Sequence, residues 1–382
     1  MKFVFAPDSY KGSLTAKEAA AAMQAGVSKV FPDATFVQIP MADGGEGTVQ
    51  SLVDATGGHL VSAEVTNPLG HKTLANYGIL GDGTTAVIEM SAASGIQFID
   101  ADNANPLTAT TYGTGELMLD ALDHGVQHLI LGLGGSATND GGAGMAQAIG
   151  VQLLQADGRP VDLGGAALSK LARIDLSQRD SRFEQVDVTI ASDVTNPLVG
   201  VKGASAVFGP QKGATPEMVA TLDQALAHYA DIINQDLGVA IAQQPGAGAA
   251  GGLGAGLLAF TNAQVQKGVE IVLDRTNFRE QVRDADVVLT GEGGMDFQTQ
   301  YGKTPMGVAQ ATKASAGQIP VIALVGNIGA GVEVLYDLGI DAIFSTEPGV
   351  QTLDQAIKEA TVNLIQTAEN VARLIKATHS FK

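Results

Sequence analysis

The sequence predicts an α/β protein in which a doubly wound parallel sheet, built from both ends of the chain, is interrupted by a second, inserted α/β domain with a mixed sheet. Short apolar runs alternate with helix-like stretches at both ends, the pattern of strands joined by crossover helices. The middle changes texture and carries hairpin signals instead. One glycine-rich, acidic grammar recurs after strand-like runs, where parallel sheets place their ligands.

Lys2 to Ala6 is apolar and β-prone. Ser13 and Thr15 offer N-caps, and Thr15-x-x-Glu18 fits a capping box ahead of an alanine-rich helix reaching about Val30. Thr35 to Pro40 reads as the next strand, and Asp43-Gly44-Gly45-Glu46 leads into a helix near Thr48 to Ala55. Leu74 to Leu80 and Ala86 to Met90 flank Gly81-Asp82-Gly83, a turn suited to an antiparallel hairpin, and Val151 to Gln155 before Asp157-Gly158 reads similarly. Val126 to Leu133 and Asp187 to Ala191 are buried strands. Thr215 caps a helix with Pro216 in its first position, running to about Leu237. At the far end Val287 to Thr290 precedes a loop, Gly291-Glu292-Gly293-Gly294-Met295-Asp296, and a helix beginning near Lys303. Val321 to Val325 and Ala342 to Ser345 follow as strands. A stripe over Leu364 to Ile375 marks a closing helix packed on the sheet. The expected partition gives 1–60 plus 285–382 to the doubly wound domain and 61–284 to the insert, with the active site in the cleft between them. Val65-Thr66-Asn67-Pro68-Leu69 recurs as Val194-Thr195-Asn196-Pro197-Leu198 without a sustained period, which reads as two similar turns.

Composition removes several function classes. Hydrophobic residues at 45% against 16% charged exclude disorder. A formal charge of −18 with no dense run of Lys and Arg excludes the electrostatic footprint of nucleic-acid binding. With only 22 basic residues, an anionic substrate must be met by a few placed lysines and by backbone N–H groups. Lys11, Lys212 and Lys303 all stand beside glycine-rich loops. The absence of cysteine removes disulfides, thiolate metal sites and a cysteine nucleophile. Phe3-Val4-Phe5 meets Asp8 too soon for a signal-peptide core, and the apolar stretch 247–260 falls short of the roughly 20 residues that cross a bilayer. A cytoplasmic protein without membrane or nucleic-acid partners is the expectation.

Five loops share the grammar, around Asp8-Ser9, Asp43 to Glu46, Gly134 to Gly142, Ser192 to Asn196 and Gly291 to Asp296, which suggests one composite site. Gly134-Gly135-Ser136 follows a strand, and Asp140-Gly141-Gly142 opens a helix over Met145 to Ile149, as a backbone nest cradles phosphate. It is neither a P-loop nor a dinucleotide fingerprint, and glycines that merely allow close helix packing would look alike. Phosphoryl transfer needs carboxylates that hold Mg²⁺, lysines on the phosphates and an acid that accepts a hydroxyl proton. Asp8, Asp43, Glu46, Asp193, Glu292 and Asp296 supply carboxylates after strands, where one taken singly is more often a helix cap or an Asx-turn. The six histidines show no metal-ligand spacing. Ser136 lacks the nucleophile-elbow pattern, which makes hydrolase chemistry the weaker reading.

With these loops assembled, the chain resembles the bacterial type-1 glycerate kinases over essentially its full length. The resemblance rests on Ala-Pro-Asp-Ser-Tyr-Lys at 6–11, Ala-Asp-Gly-Gly-Glu-Gly-Thr at 42–48, Gly-Gly-Ser-Ala-Thr-Asn-Asp-Gly-Gly-Ala-Gly at 134–144, Ser-Asp-Val-Thr-Asn-Pro-Leu at 192–198, Phe-Gly-Pro-Gln-Lys-Gly at 208–213 and Pro-Gly-Ala-Gly-Ala-Ala-Gly-Gly at 245–252, in order. It implies ATP-dependent phosphorylation of D-glycerate and a flavodoxin-like domain interrupted by a second α/β domain. It further implies Asp193 as base for the glycerate hydroxyl, with Lys11 and Lys303 as its catalytic charge stabilisers, and Mg²⁺ on Glu292 and Asp296. Substrate and nucleotide would be held by Asp8, Ser9, Asp43, Gly44, Gly45, Glu46, Gly134, Gly135, Ser136, Asn139, Asp140, Asn196 and Lys212. The chain departs from the family at Gly294, where an arginine is usual. Either the C2 or the C3 hydroxyl can be the acceptor, and the oligomeric state, a homo-oligomer included, leaves no mark in the sequence. Kinases of tartronate or a longer aldonate, and a non-catalytic nucleotide sensor, are the alternatives.

Overall fold

The computed structural model describes residues 1–379. Its strands are β1 (Lys2–Phe5), β2 (Thr35–Gln38), β3 (His59–Thr66), β4 (Lys72–Ile79), β5 (Thr85–Glu89), β6 (His128–Gly132), β7 (Gln152–Leu154), β8 (Arg173–Asp175), β9 (Asp187–Ala191), β10 (Gln264–Gln266), β11 (Val287–Met295), β12 (Val321–Ile328) and β13 (Ala342–Ser345). The chain forms two compact units. One comprises Met1–Asp43, Gln50–Gly57 and the chain from Lys267 onward; the other comprises Gly44–Val49 and Gly58–Gln266.

In the first unit five parallel strands run in the order β13-β12-β11-β1-β2. The strand order reverses between β1 and β11, so the loops after these two strands border the sheet's switch point, where such sheets bind ligands. Phe3, Phe5, Leu289 and Leu324 are buried in its core, each contributing on the order of 1.5–3 kcal/mol of hydrophobic stabilisation. The helix Ala16–Ser28 begins with the expected capping box, Thr15 Oγ1 accepting from Glu18 N at 3.2 Å and Glu18 Oε2 from Thr15 N at 2.9 Å. It packs on the closing helix Leu353–His379 so tightly that a Cβ on Gly26 would come within 2.3 Å of Ile365 O. Two expectations fail here. The stretch 267–284 packs with this unit rather than with the insert, since the helix Gly268–Arg275 sets Val269 against Gly307 with no room for a side chain. Gly291 to Met295 is also strand rather than loop: β11 continues beside β12, pairing Glu292 with Val325 and Gly294 with Asn327. A Cβ on Gly291 would lie 1.9 Å from Leu324 O, so glycine here permits close strand contact, a role that composition does not separate from a loop.

The second unit holds a mixed sheet in the order β10-β9-β6-β5-β4-β3, parallel from β10 to β5 and antiparallel from β5 to β3. Asp82 ties the β4–β5 turn by accepting from Thr84 N and Thr85 N, each at 2.9 Å. The turn expected after Val151 forms, with Gln155 N donating to Arg159 O and Val161 N to Leu153 O, each at 2.8 Å, on either side of the Leu154–Pro160 bridge. β7 also pairs antiparallel with β8. The helix Pro216–Leu237 has the Thr215 cap and N-terminal proline that the sequence signals. The two Asn-Pro turns differ in use: Asn67 Oδ1 accepts from Leu69 N and His71 N at 3.0 Å, whereas Asn196 Nδ2 donates to Lys202 O at 2.8 Å. Among the described residues no helix is long and apolar enough to cross a membrane.

Candidate functional site

Each unit carries its own polar cluster. In the first, β1 ends at Phe5 and the chain turns through Pro7 to Asp8, whose N–H donates to Gly291 O at 2.9 Å. This bond fixes the Asp8 loop to β11, the strand that carries Glu292. Asp8 Oδ1 accepts from Ser9 N at 2.6 Å and Oδ2 from the Thr304 hydroxyl. Glu292 Oε1 accepts from Thr299 Oγ1 at 2.9 Å, and Oε2 lies 3.4 Å from Lys303 Nζ. Lys303 is placed by its position as N-cap of the helix Thr304–Ala316.

The electrostatics of this cluster are unbalanced. Burial pushes the Asp8 carboxyl up to about 7, and repulsion from Asp43 and Glu292 adds to it, against the hydrogen bonds of Thr304 and Ser9. Glu292 is raised in the same way, first by burial and also by Asp43, while Lys303 and Thr299 pull it down. Carboxylates this close bind protons, or a cation, more tightly than isolated ones. Thr299 and Thr304 are functional neighbours that sequence reasoning misses; the only signal is Lys303-Thr304-Pro305, which reads as a helix start.

Asp296, expected beside a metal, caps the short helical turn Phe297–Tyr301, accepting from Gln298 N at 2.8 Å. Among the described residues no three His, Asp or Glu side chains are grouped as an all-protein metal cage requires. Lys11 is exposed on the loop after β1. It borders an open cavity of about 330 Å³ with Tyr10, Gly293, Asn327, Glu347 and Leu353.

The second cluster lies at the carboxyl ends of β5, β6 and β9. Gly134 and Gly135 are exposed, and Ser136 follows them into the protein. The turn is held by Ala137 N donating to Ser94 O at 3.0 Å and Gly141 N donating to Gly251 O at 3.1 Å. Ala250, Gly251 and Gly252 adopt left-handed backbone, and a Cβ at Gly251 would lie 1.9 Å from Thr138 O, which accounts for the glycines of the 245–252 block. Asp140 is wholly buried and accepts from Thr111 N at 2.8 Å, Gly142 N at 3.0 Å, Gly144 N at 3.2 Å and the Thr111 hydroxyl. That set fixes the start of the helix Ala143–Ala148, so Asp140 acts as a buried bracket rather than a ligand contact. Asn139 is likewise buried, its Nδ2 donating to Ser205 Oγ at 2.9 Å.

Lys212 is also enclosed, only 1% exposed. Its ammonium donates to Ser136 Oγ at 2.7 Å and Thr138 O at 2.6 Å. Burial pushes it down to about 7, against the attraction of Asp140. Asp193 and Asn196 stand on the loop after β9, Asp193 exposed and Asn196 half-buried, its carbonyl accepting from Gly248 N at 3.0 Å. Of the 43–48 loop, Gly44 is buried close to Gly132, Gly45 O accepts from Thr48 Oγ1 at 2.8 Å, and Glu46 is exposed. Sequence reasoning also misses Glu89. Its carboxylate, raised by burial, accepts from the backbone of Gly47, Thr48 and Val49; it ends a strand without any glycine signature.

Comparison with known proteins identifies the family. The family model described as Glycerate kinase family matches residues 3–376. A glycerate kinase of Haemophilus influenzae is 54% identical over 98% of this chain and 99% of its own. A glycerate 2-kinase of Escherichia coli is 49% identical over 97% of each. A crystal structure described as glycerate kinase 2 from Salmonella typhimurium superposes with a TM-score of 0.92 at 49% identity, covering all of both chains.

Proposed function

Because this chain belongs to the glycerate kinase family, we propose that it transfers the terminal phosphoryl group of ATP to the C2 hydroxyl of D-glycerate, giving 2-phosphoglycerate and ADP in the cytoplasm. The observation that carries the nucleotide side of this reading is the group of half-buried carboxylates at the switch point of the first sheet. Asp8, Asp43 and Glu292 act on one another there, with Lys303 as the cation against Glu292. Such a donor set fits Mg²⁺, which keeps several waters, takes one or two protein carboxylates and completes its shell with substrate phosphates. Asp8 and Glu292, tied together through the Asp8 N–H bond to Gly291 O, would hold the ion, and when bound it would neutralise phosphate charge. The cap role of Asp296 leaves it a lesser part than its position in the sequence suggests.

Lys11 and Lys303 would stabilise charge on the transferred group, since phosphoryl transfer depends on positioning and electrostatics more than on covalent chemistry. The Gly134-Gly135-Ser136 turn would meet an anionic group of the substrate or nucleotide, and Asp193 would accept the proton of the glycerate hydroxyl. Acceptance at C2 is favoured by the 49% identity to a glycerate 2-kinase. Incubation with ATP, MgCl₂ and D-glycerate should release ADP, and proton-coupled phosphorus NMR should show a doublet from the single C2 proton. A triplet assigns transfer to the C3 methylene. ADP release with tartronate but not glycerate would shift the substrate, and nucleotide binding without release would leave a sensor.

A further inference from the structure

The second cluster contains an ammonium that cannot itself reach a ligand. Lys212 is 1% exposed, and its contacts are neutral oxygens, Ser136 Oγ at 2.7 Å and Thr138 O at 2.6 Å. Asp140 is the charged group that acts on it, and Asp140 already accepts hydrogen bonds from Thr111, Gly142 and Gly144. The same turn holds two more buried oxygens without a partner, Thr138 Oγ1 and Asn139 Oδ1. The pocket therefore offers acceptors to a protonated lysine yet gives it no carboxylate in contact. Ser136 is the way out: it is 7% exposed and follows the exposed glycines 134 and 135. Because its oxygen accepts from Lys212, its own proton is directed elsewhere and polarised by the charge behind it.

We infer that Lys212 is a positioning residue that acts through Ser136: an anionic oxygen, carboxylate or phosphoryl, accepts a hydrogen bond from the Ser136 hydroxyl, and the buried Lys212 amine takes up a solvent proton to become ammonium as the anion arrives. No bond other than hydrogen bonds forms or breaks. The direction follows from linkage, since an anion one hydroxyl away favours the charged form of Lys212. Burial holds the free lysine near 7, so uptake is largest just above neutrality. The inference rests on the kinase reading only for the identity of the anion.

Calorimetry at about pH 8 in buffers of different ionisation enthalpy reads the proton directly. Glycerate and ADP are titrated separately, with inorganic phosphate as a probe that needs no turnover. Uptake of up to one proton with glycerate alone assigns the carboxylate; uptake with ADP and phosphate assigns the phosphoryl group. Ser136→Ala, a small deletion that should fold, is expected to abolish the uptake and weaken that anion about tenfold or more. Lys212→Met serves as a second variant if its melting temperature is retained, and should do the same. Binding without buffer dependence in the wild type, or uptake that persists in Ser136→Ala, overturns the inference. Absence of glycerate-dependent ADP release, by contrast, bears only on the kinase reading.

Discussion

The two polar clusters solve opposite problems with charge. Around Asp8 the first sheet gathers carboxylates that repel one another, with Lys303 against Glu292, while around Lys212 the second buries an ammonium whose contacts are neutral oxygens. Each is a cost to the free protein, because taking charge out of water is expensive. On the function proposed above, the difference in sign suits a cation at the first cluster and an anion beyond Ser136 at the second.

The largest expected effect asks which cluster holds the chemistry. Asp193→Asn should lower turnover by about 10²- to 10⁴-fold, as loss of a general base does. Steady-state kinetics with an unchanged melting temperature would place proton acceptance on the loop after β9. If turnover stays within a few fold, the role moves toward the acidic cluster, where the raised Asp8 is the next candidate, and the comparison becomes one of chemistry against binding.

Next comes Lys11, the exposed lysine on the loop after β1. Lys11→Met keeps the stem and deletes the charge, so kcat/KM should fall about 10- to 100-fold, the worth of a charged hydrogen bond. Lys170→Met, at an exposed helical end in the second unit, is the control. Equal kinetics for the two variants would show that the acidic cluster works without Lys11.

The opposite signs also predict opposite pH limbs of stability. Asp8 is raised from 3.8 to about 7. Between those values the folded protein keeps a proton that the unfolded chain has released, so stability falls as pH rises toward 7. Lys212 is lowered from 10.5 to about 7. Between those values the unfolded chain holds the extra proton, so stability falls as pH drops toward 7. The free protein should therefore show a dip in melting temperature near neutrality, worth roughly 1.4 kcal/mol for each unit a pKa moves. Asp8→Asn should flatten the acid limb and Lys212→Met the alkaline limb, while Mg²⁺ with nucleotide should fill the dip. Thermal scans from pH 4 to 10 check all three, and a flat profile would remove the idea that either charge is unbalanced.

Legibility in the sequence divides along the same line. The helix Pro216–Leu237 and the strand Ala342–Ser345 were readable because caps, a proline and short apolar runs are local signals. The continuation of β11 through Gly291 to Met295 was not, since a glycine chosen for close approach of β12 looks like one chosen for a turn. Motif blocks drew attention to Asp8, Glu292 and Lys212, but motif position does not say whether a side chain faces a ligand. Asp140 and Asp296 serve as a bracket and a cap, and Glu89 lacks any local mark. Burial decides these roles, and burial depends on contacts distant in sequence.

The smallest effect concerns the departure at Gly294. A Cβ built there meets nothing within 4 Å, and the residue is exposed with ordinary backbone, so Gly294→Arg should fold normally. Side chains two apart on a strand share a face, which sets the new guanidinium beside Glu292. An exposed ion pair is worth about 0.2–1 kcal/mol, enough to lower one Michaelis constant by at most about fivefold if a phosphate or carboxylate lies within reach. The same cation would draw down the raised Glu292 and Asp8, so the acid limb of the stability profile should also become shallower. Tighter substrate binding without that change would mean that the arginine meets the ligand and not the carboxylates. If neither Michaelis constant nor the acid limb moves, position 294 lies outside the field of the acidic cluster, and the charge imbalance there is confined to Asp8, Asp43 and Glu292 themselves.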